Sequence, residues 1–395
     1  MKYLYLLLVI IFCTNNAQAQ HLNSSNFHTH RYPLSNSYQK FLQEKTGRVA
    51  FLGGSITYNG GWRDSVCVYL TEKFPDTKFD FIAAGIPSMG SPSGAFRFER
   101  DILKNGPVDL FFEEAAVNDR AIEHQQREIE LAIEGIIRHA LLSNPKCDVI
   151  MMHFVDPQKM LDYRNGKVPL VIQIHEDIAS HYDVSTINLA KEVTERIDAG
   201  EFNWKDDFKN LHPSPFGQGV YARSMIKFLE DEWNFEPTDI SPIMRKLPKA
   251  LSPGCYDQGK LVLPNRENEA KGWKWIANWN PNDGKGTRAN YVNVPMLVGE
   301  YPSDILQFKF KGDAVGICVA AGISAGTIEY WVDKNPWQEM DLFTKHSRGL
   351  YLPRYYTLAS ELKNKKHTLE IRLTDKMNDR SEGKAAVVRY FYYNQ

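Results

Sequence analysis

The sequence predicts an α/β domain, a parallel sheet covered by helices on both faces, followed by an all-β sandwich. Three observations carry this expectation. Short apolar runs alternate with helix-like stretches from Arg48 to about Trp233. The character changes after Asn234, where a proline-rich stretch reaches Pro253-Gly254. Beyond it come short alternating runs broken by Gly, Asn and Pro, with no long amphipathic helix. Repeated β–α alternation implies parallel strands with helical crossovers, and short strands at turn-punctuated spacing imply a sandwich.

Each element has its own signal. Val49-Ala50-Phe51-Leu52 ends in Gly53-Gly54, as a strand buried on both faces would. A helical stretch follows over Trp62–Phe74. Further strands are read at Phe79–Ala83, Val108–Phe112, Asp148–Met152 and Ser185–Leu189. Gln125–Leu142 places Ile129, Leu131, Ile133, Ile136 and Ile137 near helical spacing, and Phe216–Trp233 reads as a closing helix. In the second domain the strand-like runs are Ile305–Phe310, Ala314–Ala320, Thr327–Val332, His367–Leu373 and Ala385–Tyr393. Ligands of an open parallel sheet bind at the carboxyl ends of its strands, so those ends are where chemistry is sought.

The chain of 395 residues carries 47 Lys+Arg against 48 Asp+Glu, a formal charge of −1, which excludes the basic face of a nucleic-acid binder. Residues 1–19 combine Lys2, an apolar run over Tyr3–Cys13 and an Ala17-Gln18-Ala19 ending, the pattern of a cleaved signal peptide and hence of a periplasmic or secreted protein. The run is too short for a membrane span. Cleavage leaves Cys67, Cys147, Cys255 and Cys318, too scattered for a zinc site, and His28-Thr29-His30 is expected to have no third ligand nearby. No metal or cofactor is expected. The expected division is leader 1–19, α/β domain 20–233, linker 234–254 and jelly-roll-like sandwich 255–395.

Three short blocks stand at strand or helix boundaries in an order that suits acyl transfer. Gly53-Gly54-Ser55-Ile56-Thr57 puts a serine directly after the first strand. Glu113-Glu114-Ala115-Ala116-Val117-Asn118-Asp119 puts Asn118 at the end of another strand. Asn210-Leu211-His212-Pro213-Ser214-Pro215 presents His212 on a proline-stiffened loop before the closing helix. A serine hydroxyl needs a base within hydrogen-bond reach, and a tetrahedral intermediate needs donors aimed at its oxyanion.

With these residues in view, the chain resembles the SGNH (GDSL-like) hydrolase superfamily over about Arg48–Trp233. Gly53–Thr57 is similar to the serine block, with Gly54 where the family more often has Asp. Ala84-Gly85-Ile86-Pro87-Ser88-Met89-Gly90-Ser91 is similar to the glycine block, Val117-Asn118-Asp119 to the asparagine block and His212-Pro213-Ser214 to the histidine block. The resemblance implies a flavodoxin-like sheet, Ser55 as nucleophile, His212 as base, and an oxyanion hole from Ser55 N–H, Gly90 N–H and the Asn118 amide. The family places an Asp three residues before the histidine, but Lys209 stands there and cannot accept a hydrogen bond. Asp207 is the favoured orienting acid, with Asp206 or a backbone carbonyl as alternatives. A solvated pair capping a short helix is the non-catalytic reading of both aspartates. The second domain resembles the sandwich appended to some secreted bacterial members of this superfamily.

Other residues were weighed beside these. Arg63, in Gly61-Trp62-Arg63, is a candidate for gripping substrate. Glu113 and Glu114 point to opposite sheet faces and so cannot pair as acid and base. His153, His175 and His181 rival His212 as base, and Trp273, Trp275 and Trp279 offer a stacking platform for a sugar or else simply sandwich core. The function expected is a serine esterase removing acetyl or other small acyl groups from polysaccharides or oligosaccharides. The alternatives are a lipase or lysophospholipase, and a non-catalytic glycan-binding protein on a degenerate hydrolase scaffold.

Overall fold

The computed structural model describes residues 21–121, 125–234, 242–333 and 336–395. The leader read in residues 1–19 lies outside them, as does the middle of the 234–254 linker. Among the described residues no helix is long and apolar enough to cross a membrane, and the four described cysteines are free thiols.

The first sheet contains β1 (His28–Thr29), β2 (Thr46–Gly53), β3 (Lys78–Gly85), β4 (Leu110–Glu113), β5 (Asp148–Met152) and β6 (Ser185–Ile187), in the order β1-β6-β5-β4-β2-β3. All pairings are parallel except β1 with β6. Without β1 this is the flavodoxin-like order, and its switch point falls between β2 and β4. The edge strand β1 is too short to show any period and was not foreseen. Alternation along each strand divides the apolar side chains between two cores. Val49 and Phe51, Leu110 and Phe112, Ile150 and Met152 face one side. Ala50 and Leu52, Phe111, Val149 and Met151 face the other.

Among the described residues ten helices cover the sheet. They are α1 (Ser35–Gln39), α2 (Ser55–Tyr58), α3 (Trp62–Lys73), α4 (Ser91–Asp101), α5 (Ala116–Ala121), α6 (Gln126–Ser143), α7 (Pro157–Arg164), α8 (Leu170–His181), α9 (Leu189–Asp198) and α10 (Pro215–Glu232). Trp62, Val66 and Leu70 of α3 and Tyr221, Met225 and Phe228 of α10 fill the first core. Phe96 and Phe98 of α4 and the isoleucines of α6 fill the second.

From Gly259 the chain is β-rich: β7 (Gly259–Val262), β8 (Trp273–Trp279), β9 (Gly286–Thr287), β10 (Val294–Glu300), β11 (Leu306–Gly312), β12 (Ala314–Ala321), β13 (Gly326–Val332), β14 (Gln338–Asp341), β15 (Leu350–Ala359), β16 (Lys365–Met377) and β17 (Ala385–Asn394). A seven-stranded sheet runs β8-β10-β17-β12-β15-β9 with β7 also on β17, and a four-stranded sheet runs β11-β16-β13-β14. Ile317, Ile328, Leu369, Ile371 and Phe391 pack between them as a sandwich core.

The outer face of the larger sheet shares the α4–α6 core of the first domain. Tyr256, Trp279, Tyr291, Tyr355 and Tyr392 join Phe96 and Ile136 in one apolar cluster. The Phe96 ring lies 4.3 Å from Tyr392 and 4.7 Å from Tyr256, centroid to centroid. The backbones come so close that a Cβ at Gly135 would stand 2.5 Å from the Tyr256 carbonyl carbon, so only glycine fits there. Buried aromatic area of this kind makes the docking of the two domains apolar and fixed. The irregular segment preceding β7 is also tied down, since Glu134 accepts from Leu251 N and Ser252 N at 2.6 and 2.9 Å.

Candidate active site

Ser55 is the first residue of α2, immediately past the carboxyl end of β2, and Gly54 precedes it as the N-cap. A first-turn N–H has no intrahelical acceptor, so Ser55 N–H is available to a ligand. Asn118 sits on α5, just beyond β4 on the other side of the switch point. Its Nδ2 donates to Met89 O at 2.8 Å, which leaves one amide hydrogen for a substrate. A Cβ on residue 54 would lie 1.8 Å from Asn118 Nδ2. The glycine that departs from the family pattern is therefore the space into which the asparagine amide leans.

His212 arrives from the opposite direction, on the loop before α10. Ser214 caps that helix by accepting from Gly217 N, and Ser214 N donates to Phe208 O at 3.0 Å. His212 N donates to Asn210 Oδ1 at 2.8 Å, which sets the turn. The result brings Ser55 Oγ within 2.7 Å of His212 Nε2, a hydrogen bond suited to proton transfer. Burial and the nearby Arg288 charge both hold the imidazole below its ordinary value, which keeps it neutral and able to accept.

Three expectations need correction. Asp207 does not orient His212. Its Oδ2 accepts from Asn203 N and Asn203 Nδ2 at 2.8 and 2.9 Å, because Asn203 caps the π-turn Trp204–Phe208 and draws the carboxylate backwards. Among the described residues no carboxylate hydrogen-bonds to His212, and Lys209, at φ 80°, lies where the chain reverses. Gly90 is the buried N-cap of α4, next to Met89 whose carbonyl holds the Asn118 amide, and Ser88 of the same turn lines the cleft at φ 68°, a left-handed conformation that suits glycine. Arg63 does not reach the cleft. It donates to Thr57 O at 2.9 Å and to Asp64, and so braces the end of α2. Finally, Asp231 of α10 joins His28 and His30, with ligand atoms within 4.8 Å of one another. All three already hold partners, however: Asp231 accepts from Lys227 and Ser25, His28 pairs with Ser224 and His30 with Glu232.

The rival histidines are structural. His153 is fully buried on Glu176 at 2.9 Å, His175 is fully buried on Asp119 at 3.1 Å, and His181 pairs with Lys249 O. Asp119 meanwhile accepts from Ser91 N at 2.7 Å and so ties the α4 terminus to the Asn118 helix. Glu113 is enclosed with both oxygens unpartnered, and burial raises it well above the usual carboxylate range. Glu114 is pushed up to about 7 by burial and accepts from Val117 N, so neither glutamate faces a substrate. Trp273 and Trp279 are sandwich core and interdomain core, and Trp275 packs beneath Arg266 with its Nε1 on Pro264 O.

Ser55, His212 and Asn118 open into a cleft of about 650 Å³ whose far wall is the second domain. Thr287 ends β9 and Arg288 follows it, and Lys345 and His346 stand on the loop between β14 and β15. The Arg288 guanidinium donates to Ser88 Oγ at 2.7 Å. Nothing local in Lys285-Gly286-Thr287-Arg288 marks this arginine for a site some 200 residues away in sequence. Only the interdomain packing brings it there.

The comparisons with known proteins agree with this geometry. Residues 51–220 match the model of the GDSL-like Lipase/Acylhydrolase family. A solved two-domain esterase (CEX) active on acetylated mannans superposes with a TM-score of 0.75 at 21% identity, covering 95% of this chain and 99% of that one. The same esterase co-crystallized with mannopentaose gives a TM-score of 0.73 at 21% identity, with the same coverage of both chains. Among curated proteins none matches the chain. With a serine–histidine pair at the switch point of a flavodoxin-like sheet, residues 51–220 are similar to the GDSL-like Lipase/Acylhydrolase family, and the chain shares the fold of the two-domain esterase, an α/β domain followed by a C-terminal β domain.

Proposed function

We propose that this protein is a serine esterase that removes acetyl groups from a polysaccharide or its oligosaccharides. The observation that carries the reading is the 2.7 Å contact between Ser55 Oγ and His212 Nε2 in an open cleft large enough for several sugar rings. The reaction runs in two acyl transfers. Ser55 Oγ attacks the acetyl carbonyl carbon while His212 Nε2 takes its proton. The oxyanion so formed is met by Ser55 N–H, Gly90 N–H and the second hydrogen of the Asn118 amide. As the intermediate collapses, the bond from carbonyl carbon to sugar oxygen breaks and His212 returns the proton to that oxygen. A water then repeats the sequence on the acetyl-serine, giving acetate and free Ser55.

His212 works here as one half of a dyad, positioned by Asn210 and the proline-flanked loop and kept neutral by its surroundings. The overall likeness to an esterase active on acetylated mannans supports a glycan as the alcohol. Export through the 1–19 leader is part of the same proposal and is tested by N-terminal sequencing of the secreted protein. The activity is tested by following acetate release from acetylated manno- and xylo-oligosaccharides beside p-nitrophenyl esters of increasing chain length. Release that Ser55→Ala abolishes supports the reading. Turnover confined to long-chain esters would make the protein a lipase, and no turnover at all would leave a glycan-binding scaffold.

A further inference from the structure

The turn beside the oxyanion site is built against its own residue preference. Met89 N donates to Ile86 O at 3.2 Å, closing a four-residue turn over residues 86–89. Pro87 at the second position fixes a negative φ, and Ser88 at the third stands at φ 68°. The turn is therefore of type II, whose third position favours glycine. Ile86 and Met89 are buried at its base, while Pro87 and Ser88 form a half-buried apex that lines the cleft. A serine in the left-handed region persists only where its surroundings determine it. Here its hydroxyl accepts from the Arg288 guanidinium at 2.7 Å, across the domain boundary.

Arg288 is itself fixed from both sides. Before it, β9 pairs with β15, and Thr287 Oγ1 donates to Tyr351 O at 2.7 Å. After it, Tyr291 N donates to Arg288 O at 2.8 Å, and the buried Tyr291 hydroxyl meets Cys318 Sγ at 3.2 Å. The arginine thus runs from the sandwich core to the apex of the turn. That turn supports two parts of the oxyanion site: Met89 O holds the Asn118 amide at 2.8 Å, and Gly90 comes next in the chain. Donors of this kind work only if they are already aimed when the oxyanion forms.

We propose that Arg288 is a positioning residue for the oxyanion site, through which the β domain holds the turn 86–89 of the α/β domain in its working shape. The inference rests on the esterase reading of Ser55 and His212, and it makes catalysis in one domain depend on a side chain of the other.

The test uses p-nitrophenyl acetate, which carries no sugar, so a loss reports on the reacting atoms and not on the grip of a glycan. Arg288→Met and Ser88→Ala should each lower kcat by about tenfold while KM stays within about threefold. The double variant should lose no more than the worse single variant, because both remove one shared bond. Ser88→Ala changes no charge, so its kcat/KM profile should keep the wild-type acid limb. If Arg288→Met does not fold, Ser88→Ala, which lies in the other domain, decides alone. A kcat for Ser88→Ala within about twofold of wild type overturns the positioning role and leaves the esterase reading intact, whatever Arg288→Met does through its charge. Additive losses overturn it as well. Absence of hydrolysis by the wild type, or hydrolysis that survives Ser55→Ala, overturns the esterase reading itself.

Discussion

Replacing Gly54 with alanine separates catalysis from stability in this site. The backbone at Gly54 has φ −93°, outside the left-handed region that favours glycine, so the main cost of alanine is steric. Its Cβ, however, would stand 1.8 Å from Asn118 Nδ2, with the next atoms at 3.1 Å or more. A carbon–nitrogen contact relaxes near about 3.5 Å, so the amide must retreat by roughly 1.5–2 Å. That retreat gives up its hydrogen bond to Met89 O, about 1 kcal/mol of stability, and removes one oxyanion donor, roughly 10²–10³ in kcat. The assay is steady-state hydrolysis of p-nitrophenyl acetate together with urea unfolding, for Gly54→Ala, Asn118→Ala and the double variant. The double variant should lose no more than Asn118→Ala alone, because both act through one amide. Additive losses, or a kcat for Gly54→Ala within threefold of wild type, would refute the assignment of Asn118 as a donor held by the absence of a side chain at 54.

Other consequences follow from the same geometry. Asp207→Asn should change kcat by less than about threefold while costing on the order of 1 kcal/mol in urea unfolding, since the carboxylate serves Asn203 rather than His212. A large fall in kcat with a displaced pH profile would restore Asp207 as the orienting acid. Arg288→Gln removes a cation that disfavours the imidazolium, so the His212 pKa rises and the acid limb of the kcat/KM profile moves to higher pH. An unmoved limb would show that burial alone sets the histidine. Phe96→Ala at the interdomain core, where Phe96 is 1% exposed, should cost about 3–5 kcal/mol by chemical denaturation. A loss below 1 kcal/mol would mean that the domains are not docked through it.

Several layers of this protein could be read without coordinates because they are local. Short apolar runs, the first of them closed by Gly53-Gly54, mark β2 to β6, and the α6 and α10 boundaries lie within a residue of the helical pattern. Ser55 and Asn118 could be singled out because each directly follows a strand, and His212 because prolines flank it. The glycine block was legible as a turn, but not which N–H faces the cleft. The left-handed φ of 68° at Ser88, which no residue type there announces, shapes that turn. Asp207 was misjudged because spacing gives reach, while direction is decided by Asn203 competing for the same carboxylate.

The sequence by itself determined the two architectures, their order along the chain and the residue types available for acyl transfer. These follow from periodicity, turn residues and short blocks, all set within a few positions of one another. Only the tertiary structure decided how the parts meet. Phe96, Tyr256 and Tyr392 dock the sandwich against α4 and α6, and that docking carries Arg288, Lys345 and His346 over Ser55. Charge in the cleft is therefore a property of the interdomain interface. A near-zero total charge could not reveal it, because a field depends on where charges stand and not on their sum.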